Sequence, residues 1–473
     1  MLSRIVFKNV LYNSSSILIL NITGLIVVIF LARTLKPELF GLYSLSLSIV
    51  SIAMVFADLG INNAATRYVA DAVSKNNFRL AGGYISFLTN FKISLSILLA
   101  IFLFLLSDAI SQAFNKPISL LLKILAIYLI FNSLTALLLA IANAMNDFKA
   151  NLLNNTVSSI SKVIFTFLLV LIGFSVLGAI LAVVLSTIIG FVYALYYLFK
   201  KYRFLLLEKE KIEAKRVFRF ITFTAVLSVT WVVFANVDMV MIGYFLTAED
   251  VAYYRAGFSI ISAIAGLIAI PSVLLPVFVK LEGDDLNRAF LRAFKYSFAL
   301  CTPSALGTML ISANLIFLAY GEEYLPGLIA MQILSLLLIS PAFGIYGSIF
   351  SGKEKPELNF YPLTFSMLLN VVLNYLMIPK FGIVGASLAT VISSIVLWSL
   401  LVLICHREFG IKPNLSFLAK PLFSAVVMFF IASNLKSILL IIPVSIIVYS
   451  LVLFLIRGIT KEDLEFIRKI GAS

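Results

Sequence analysis

A segment near the start of this chain returns in its second half. Residues 35–51, LKPELFGLYSLSLSIVS, align with residues 246–262, LTAEDVAYYRAGFSIIS, through Leu35/Leu246, Glu38/Glu249, Tyr43/Tyr254, Ser48/Ser259, Ile49/Ile260 and Ser51/Ser262. A second pair, FSVLGAILAVVLSTI at 174–188 and FGIVGASLATVISSI at 381–395, shares Phe174/Phe381, Gly178/Gly385, Ala179/Ala386, Leu181/Leu388, Ala182/Ala389, Val184/Val391, Ser186/Ser393 and Ile188/Ile395. The two spacings, 211 and 207 residues, place both pairs in one register. The fold must therefore accommodate two similar halves of about 200 residues each.

The solvent for these halves follows from composition. Of 473 residues, 62% are hydrophobic and 12% charged, against about 25% charged in a soluble protein. Mean hydropathy is +1.09. A helix crosses about 30 Å of hydrocarbon with about 20 apolar residues. Apolar runs lie near 9–32, 38–58, 81–106, 118–140, 149–172, 176–199, 217–243, 251–278, 294–319, 325–349, 359–378, 382–405, 418–434 and 437–457. These predict an all-α integral membrane protein of about fourteen transmembrane helices. Arg4 and Lys8 precede the first run, which reaches Leu31 without a small-residue cleavage site, so it reads as a first span and not as a cleaved signal.

Six spans fall in each half, with two more at the end. The expected domains are a lobe at 1–199, a basic linker at 200–216, a second lobe at 217–405, and two extra helices with a tail at 406–473. An even number of spans separates the repeat copies, so the lobes are parallel, related by an axis along the membrane normal. With both termini inside, the inner loops and termini hold most of the 36 basic residues. The opposite loops hold only Arg33, Lys36, Lys116, Lys380 and Lys436. This bias sets the expected orientation and explains the +14 net charge without a nucleic-acid partner. The linker KKYRFLLLEKEKIEAKRVFR at 200–219 reads as a solvated segment along the inner leaflet, and 276–295 and 458–473 as interfacial helices.

The chemistry classes narrow by what the motifs lack. No Walker loop, HExxH or nucleophile elbow is present, and the first outer loop is only ARTLKP. The single His406 cannot build a multi-histidine metal site, and Cys301 and Cys405 suggest no disulfide framework. No metal site and no cofactor are expected, and the chain reads as a non-enzyme.

Polar residues inside spans are the functional candidates. The first span carries Asn13, Ser14, Ser15, Ser16, Asn21 and Thr23, and the seventh carries Thr222, Thr224, Ser228, Thr230, Asn236 and Asp238. Helix packing explains any one of them; as a matched pair of enriched helices they suggest a wet cavity wall. A charge at mid-bilayer costs about 2.5–3.5 kcal/mol on insertion scales, so it persists beside water, a partner or a ligand. Asp58, Arg67, Lys92, Lys162, Asp238 and Arg255 are such charges. Pro271, Pro276, Pro303 and Pro341 favour kinks in the second half.

Three stretches resemble a known family: ADLGINNAATRYVA (57–70), NVDMVMIGYFLTAEDVAYYRAG (236–257) and NVVLNYLMIPKFGIVGASLATVIS (370–393). They are similar to the polysaccharide and lipid-linked-oligosaccharide flippases of the multidrug/oligosaccharidyl-lipid/polysaccharide (MOP) exporter superfamily, and the resemblance runs the length of the chain. It implies two six-helix lobes in a V, alternately open to either side of the cell membrane. It also implies a polyprenyl or dolichyl phosphate or pyrophosphate carrying sugars as substrate. Glycan polymerase or glycosyltransferase partners follow from the same resemblance. By position it nominates Arg67 and Arg255, then Lys92 and Lys162, as cationic contacts to the phosphate; Asn13 and Asn236 are cavity-wall candidates from the polar enrichment of their own spans. Coupling to Na⁺ or H⁺ would fall to Asp58 and Asp238. The rivals are a multidrug antiporter and a peptidoglycan-precursor flippase of the same superfamily. A membrane glycosyltransferase or polymerase, and a non-transporting scaffold, are rivals of other classes.

Overall fold

The computed structural model describes residues 2–206, 210–268, 283–353, 355, 357–411, 414–435 and 437–459. Within them the chain is helical, and no strand occurs among the described residues. Hydrocarbon offers no partner for backbone polar groups, so a spanning segment must satisfy them internally. Among the described residues, ten helical segments are long and apolar enough to cross a membrane. Three of them, Ser15–Ser74, Phe148–Leu205 and Glu357–Phe409, run to 60, 58 and 53 residues, far more than one crossing needs. Each of these carries two of the apolar runs seen in the sequence. Ser416–Ala432 is apolar but falls short of spanning length.

Breaks inside the long segments are sharp and local. Helix α1 (Leu2–Asp58) is interrupted at Lys36 (φ 65°, ψ 168°), just before Pro37. Helices α5 (Phe148–Leu169) and α6 (Ser175–Tyr202) are joined by one π-turn, Val170–Phe174, with Gly173 at φ 104° and Ser175 at φ 51°, ψ −134°. In the second half, Gly382 breaks the helix Glu357–Phe409 at φ 60°, ψ −142°. Ser175 and Gly382 are equivalent positions of the repeat, and they hold nearly the same backbone conformation.

The repeated glycines explain why these hairpins close. A β-carbon on Gly178 would sit 3.0 Å from the Leu169 carbonyl carbon, and one on Gly385 would sit 2.4 Å from the Met377 carbonyl oxygen. Residues eight or nine apart in a straight helix are roughly 12–13 Å apart. The chain has therefore doubled back, and only glycine lets the two backbones meet.

The first compact unit comprises residues Met1–Ala256. It contains α1, α2 (Ile61–Ser74), α3 (Phe78–Phe114), α4 (Ser119–Ala144), α5, α6, α7 (Ala214–Phe245) and the first turns of α8 (Ala248–Ile268). The packing boundary thus lies beyond the sequence linker, because α7 is seated on α1 and α2. Leu45 of α1 fills the space beside Gly243, Gly41 lies against the Ala248 backbone, and Gly60 (φ 82°) lies against Thr224. Lys116, in the α3–α4 turn, donates to the Gly243 and Leu246 carbonyls at 2.6 and 2.7 Å, capping the C-terminus of α7. The connections at 32–38, 115–118 and 246–248 thereby share one face.

The opposite face is held by polar contacts. The linker is pinned to α3: Glu210 N–H donates to the Arg79 carbonyl at 3.1 Å, and Asn77 donates to the Glu210 carboxylate at 3.2 Å. Asp147 accepts hydrogen bonds from Lys201, Tyr202 and Tyr197 at 2.6, 2.9 and 3.0 Å. Burial alone would push its carboxyl up, but these three donors outweigh burial and hold it below the usual carboxylate range.

The second unit comprises Gly257–Ser473. Its described helices after α8 are α9 (Gly283–Tyr320), α10 (Leu328–Leu334), α11 (Ser340–Gly352), α12 (Glu357–Phe409), α13 (Leu415–Ala432) and α14 (Ile438–Leu455). Its core is aromatic: Phe343 stacks on Trp398 at 5.0 Å, and Phe290 and Phe294 meet Tyr346 edge to face. Cys301 and Cys405 are free thiols buried in this core. The arms of α12 are bonded through Asn374, Asn370 and Thr390, all buried. The expected interfacial helix at 276–295 is, from Gly283 on, the start of the continuous α9, since no breaker occurs before Pro303. Pro341 opens α11 after a 3₁₀ stretch, Ser335–Ile339, and so marks a break as the sequence suggests. Pro271, Pro276 and the tail from residue 460 lie outside the described residues.

The shared turn gives a direct test. A left-handed backbone costs a non-glycine residue about 1–3 kcal/mol. Ser175→Gly should raise the thermal midpoint of the detergent-solubilised protein, whereas Gly382→Ala should lower it by the equivalent of about 1–3 kcal/mol. Equal responses at the two sites would contradict a shared turn geometry.

Candidate functional site

The first unit contains a cavity of ≈ 330 Å³ bounded by α1, α2, α3, α4 and α7. Its wall is built from Ser51, Met54, Val55, Asp58, Asn62, Lys92, Asn132, Ser133, Ala136, Ser228 and Val232. Sequence spacing explains the convergence. Ser48, Ser51, Val55 and Asp58 recur at three- and four-residue steps, so they share one face of α1. The helix stops at Asp58 because Leu59 (φ 44°) and Gly60 (φ 82°) turn the chain into α2. That turn leaves the Asp58 carboxylate at the end of the apolar run.

Charge inside this cavity is balanced. Lys92 is completely buried and its Nζ donates to Asp58 Oδ1 in an ion pair. Lys92 also donates to Asn62 Oδ1 at 3.3 Å, and the Asn62 backbone N–H donates to Asp58 Oδ1 at 3.3 Å. The Asp58 side chain remains 25% exposed, toward the cavity. Asn132 Nδ2 donates to the Met54 sulfur at 3.2 Å, and Ser96 donates to Ser133 at 3.0 Å.

A second group of charges sits on the same unit. Lys162 of α5 and Arg255 of α8 lie within range of each other's positive charge. Arg255 also acts on the buried Tyr43 of α1, which has Tyr128 of α4 as a neighbour. Arg255 Nη1 donates to the Met239 sulfur at 3.7 Å, and the same sulfur accepts from Ser48 at 3.3 Å. Among the described residues Lys162 makes no ion pair and no hydrogen bond. Asp238 is buried and accepts from the Tyr254 hydroxyl at 2.7 Å.

The remaining sequence candidates divide. Asn236 donates to the Val232 carbonyl of its own helix at 3.0 Å. Thr222, Thr224 and Ser228 bond in the same way to carbonyls one turn back, so much of the polar content of α7 is satisfied within the helix. Ser16 accepts from Asn155 of α5, which is a packing contact. Arg67 is exposed on α2 and stacks over Phe220 at 4.7 Å, and it does not line the cavity. The Asn13 side chain lies outside the described residues.

Sequence reasoning treated Asp58 and Lys92 as separate candidates, one for coupling and one for substrate, whereas the structure makes them one ion pair. It passed over Asn62, Asn132 and Ser133. The signal for Asn62 was its four-residue spacing from Asp58, and for Asn132 and Ser133 a polar pair inside an apolar run. Among the described residues no cluster of His, Cys, Asp and Glu suits a metal ion.

Comparison with known proteins places this geometry. A family model described as polysaccharide biosynthesis protein matches residues 6–282. The chain is 25% identical over 385 residues to a putative O-antigen transporter of Shigella flexneri, covering 76% of this chain and 88% of that one. It is also 25% identical over 396 residues to an uncharacterised membrane protein of Methanocaldococcus jannaschii, covering 76% and 75% of the two chains. A probable low-salt glycan biosynthesis flippase of Haloferax volcanii is 26% identical over 190 residues, covering 38% of this chain and 39% of its own. Among solved structures, an inward closed form of the lipid II flippase MurJ superposes with a TM-score of 0.77 at 18% identity, over 94% of this chain and 98% of its own. An inward-facing multidrug resistance MATE family transporter of the MOP superfamily superposes at 0.62 and 15% identity, over 85% and 96%. Both share the fold.

The buried pair is testable by a double-mutant cycle. Removing one partner strands a buried charge and costs about 3–5 kcal/mol. Asp58→Asn and Lys92→Met should each destabilise the protein by that amount in a thermal unfolding assay. The double variant should recover most of the loss. Additive losses would show that the two side chains do not act as a pair.

Proposed function

The chain belongs to the polysaccharide biosynthesis protein family, and from that premise we propose that it flips a lipid-linked oligosaccharide across a membrane. The cargo is a polyprenyl or dolichyl phosphate or pyrophosphate bearing sugars, carried from the inner to the outer leaflet of the cell membrane for surface polysaccharide or glycan assembly. The names of the Shigella and Haloferax relatives support this reading. The observation that carries it is Lys162 of α5, a cation inside an apolar span that makes no ion pair or hydrogen bond among the described residues and lies in the field of a second cation, Arg255. A cation without a partner inside apolar helices favours an anionic guest that neutralises it.

The physical task is to move a phosphate-bearing head through hydrocarbon. Cations and hydroxyls in the wall replace its hydration, while the lipid tail stays in the bilayer. Alternation of two access states then exposes the head to one side or the other. A membrane potential contributes about 2.3 kcal/mol per charge per 100 mV, and it favours an anion leaving a negative interior. A multidrug antiporter for cationic drugs would call for acidic groups where Lys162 and Arg255 stand. The positive-inside bias supports a cytoplasmic position for both termini, and glycosyltransferases or a glycan polymerase are the partners that would supply or consume the cargo.

Asp238 and Asp58, the latter paired with Lys92, are the carboxylates proposed for ion coupling. Lys162→Gln and Arg255→Gln should each reduce transport of a polyprenyl-diphosphate-linked glycan in proteoliposomes by tenfold or more, since a hydrogen bond to a charged group is worth about 1.5–3 kcal/mol. Full transport by both variants at normal protein levels would remove the anion site. For coupling, Asp238→Asn should abolish the response of transport to imposed pH or Na⁺ gradients. An unchanged response would eliminate Asp238 as the coupling group.

A further inference from the structure

We propose that the cavity of the first unit is a subsite for an uncharged, hydroxyl-rich sugar of the head group. This rests on the flippase reading and identifies where the glycan, as distinct from the phosphate, is recognised.

Size is the first support. The cavity, at ≈ 330 Å³, lies at the lower end of the roughly 300–1,000 Å³ typical of small-molecule pockets, a fit for one sugar ring and not for a long glycan. Charge is the second. Asp58 and Lys92 cancel each other, so the cavity has no net charge to offer a phosphate. The side of the pair that faces the cavity is the carboxylate, which repels a carboxylated sugar.

The third support is unsatisfied hydrogen bonding. Among the described residues, Asp58 Oδ2, Asn62 Nδ2 and Asn132 Oδ1 have no hydrogen-bond partner, although Asp58 Oδ1, Asn62 Oδ1 and Asn132 Nδ2 are engaged. Asn132 Nδ2 itself is matched only with a thioether, a weak acceptor. All three residues line the cavity, so these atoms are available to a polar guest. Two acceptors and a donor on one wall suit vicinal hydroxyls, each of which both gives and takes a hydrogen bond. Met54, Val55, Ala136 and Val232 complete the wall with the apolar surface that the C–H face of a sugar ring packs against.

The fourth support is position. Ser48 is bonded to Met239, the residue that also receives Arg255, and Asp58 lies ten residues farther along α1. At about 1.5 Å per residue the cation level and Asp58 are roughly 15 Å apart along the helix, with Ser51 and Val55 between them. A phosphate at Arg255 would therefore direct its attached sugar along the face that leads into the cavity.

The test measures binding by the purified full-length protein in nanodiscs. The probes are a polyprenyl diphosphate without sugar and the same lipid carrying glucose, galactose, N-acetylglucosamine or glucuronic acid. At least one neutral sugar should bind tenfold or more tighter than the bare lipid, with glucuronic acid showing no such gain. In Asn132→Leu, and independently in Asn62→Ala, the ratio of glycosylated to bare affinity should fall toward one. Equal binding of bare and glycosylated lipids by the wild type, a preference for glucuronic acid, or an unaltered ratio in both variants would overturn the subsite. If the wild type binds none of these lipids, the flippase reading fails separately. Titration with the methyl glycosides of the same neutral sugars then decides the cavity alone, and no saturable binding would overturn it.

Discussion

Hydrocarbon supplies no hydrogen bonds, and the architecture of this chain follows from that. Every backbone amide must be satisfied by its own helix, so irregular backbone is confined to a few points. Ser175 and Gly382 turn the chain with one conformation in both halves, and Gly178 and Gly385 let the returning helix touch the one before it. The duplication persists most visibly at these positions because a side chain there would separate the helices. The repeat preserves a way of making hairpins in a solvent that penalises any looser connection.

The same constraint makes the embedded charges informative, and they are not repeated. In the register of the first repeat pair, Asp58 aligns with Ala269, Arg67 with Phe278, Asp238 with Val27 and Arg255 with Ser44. Asp58 is neutralised by Lys92, and Asp238 accepts a hydrogen bond from the Tyr254 hydroxyl. Lys162 makes no ion pair among the described residues and lies in the positive field of Arg255. A neutral polar cavity and a cationic wall therefore occur on one unit, joined along the face of α1 that carries Ser48, Ser51 and Asp58. A glycan and a phosphate place those two different demands on a transporter.

Much of this was legible before the coordinates. The apolar runs and the repeat register pointed to a helical membrane protein, and the motif at 236–257 to a family of polysaccharide biosynthesis proteins, because runs and motifs are local properties. The site was only half legible. Charges within spans stood out singly, but Asp58 and Lys92 are 34 residues apart and nothing local marks them as partners. Asn62 and Asn132 become visible as wall residues only when α2 and α4 are brought to α1. The polar enrichment of α7 pointed to a cavity, yet most of its hydroxyls bond to their own helix, and only Ser228 among them reaches the wall. The packing boundary at Ala256 was hidden for a similar reason: it depends on Lys116 capping α7 across 127 residues.

The most direct measurement is leaflet translocation by the wild-type protein reconstituted alone in vesicles. A fluorescent polyprenyl-diphosphate-linked glycan, added to one leaflet, should appear in the other, faster when the destination side is positive. A cationic dye should not be carried. Export of the dye with no movement of any lipid-linked glycan would contradict the assignment of an anionic lipid-linked cargo to this chain.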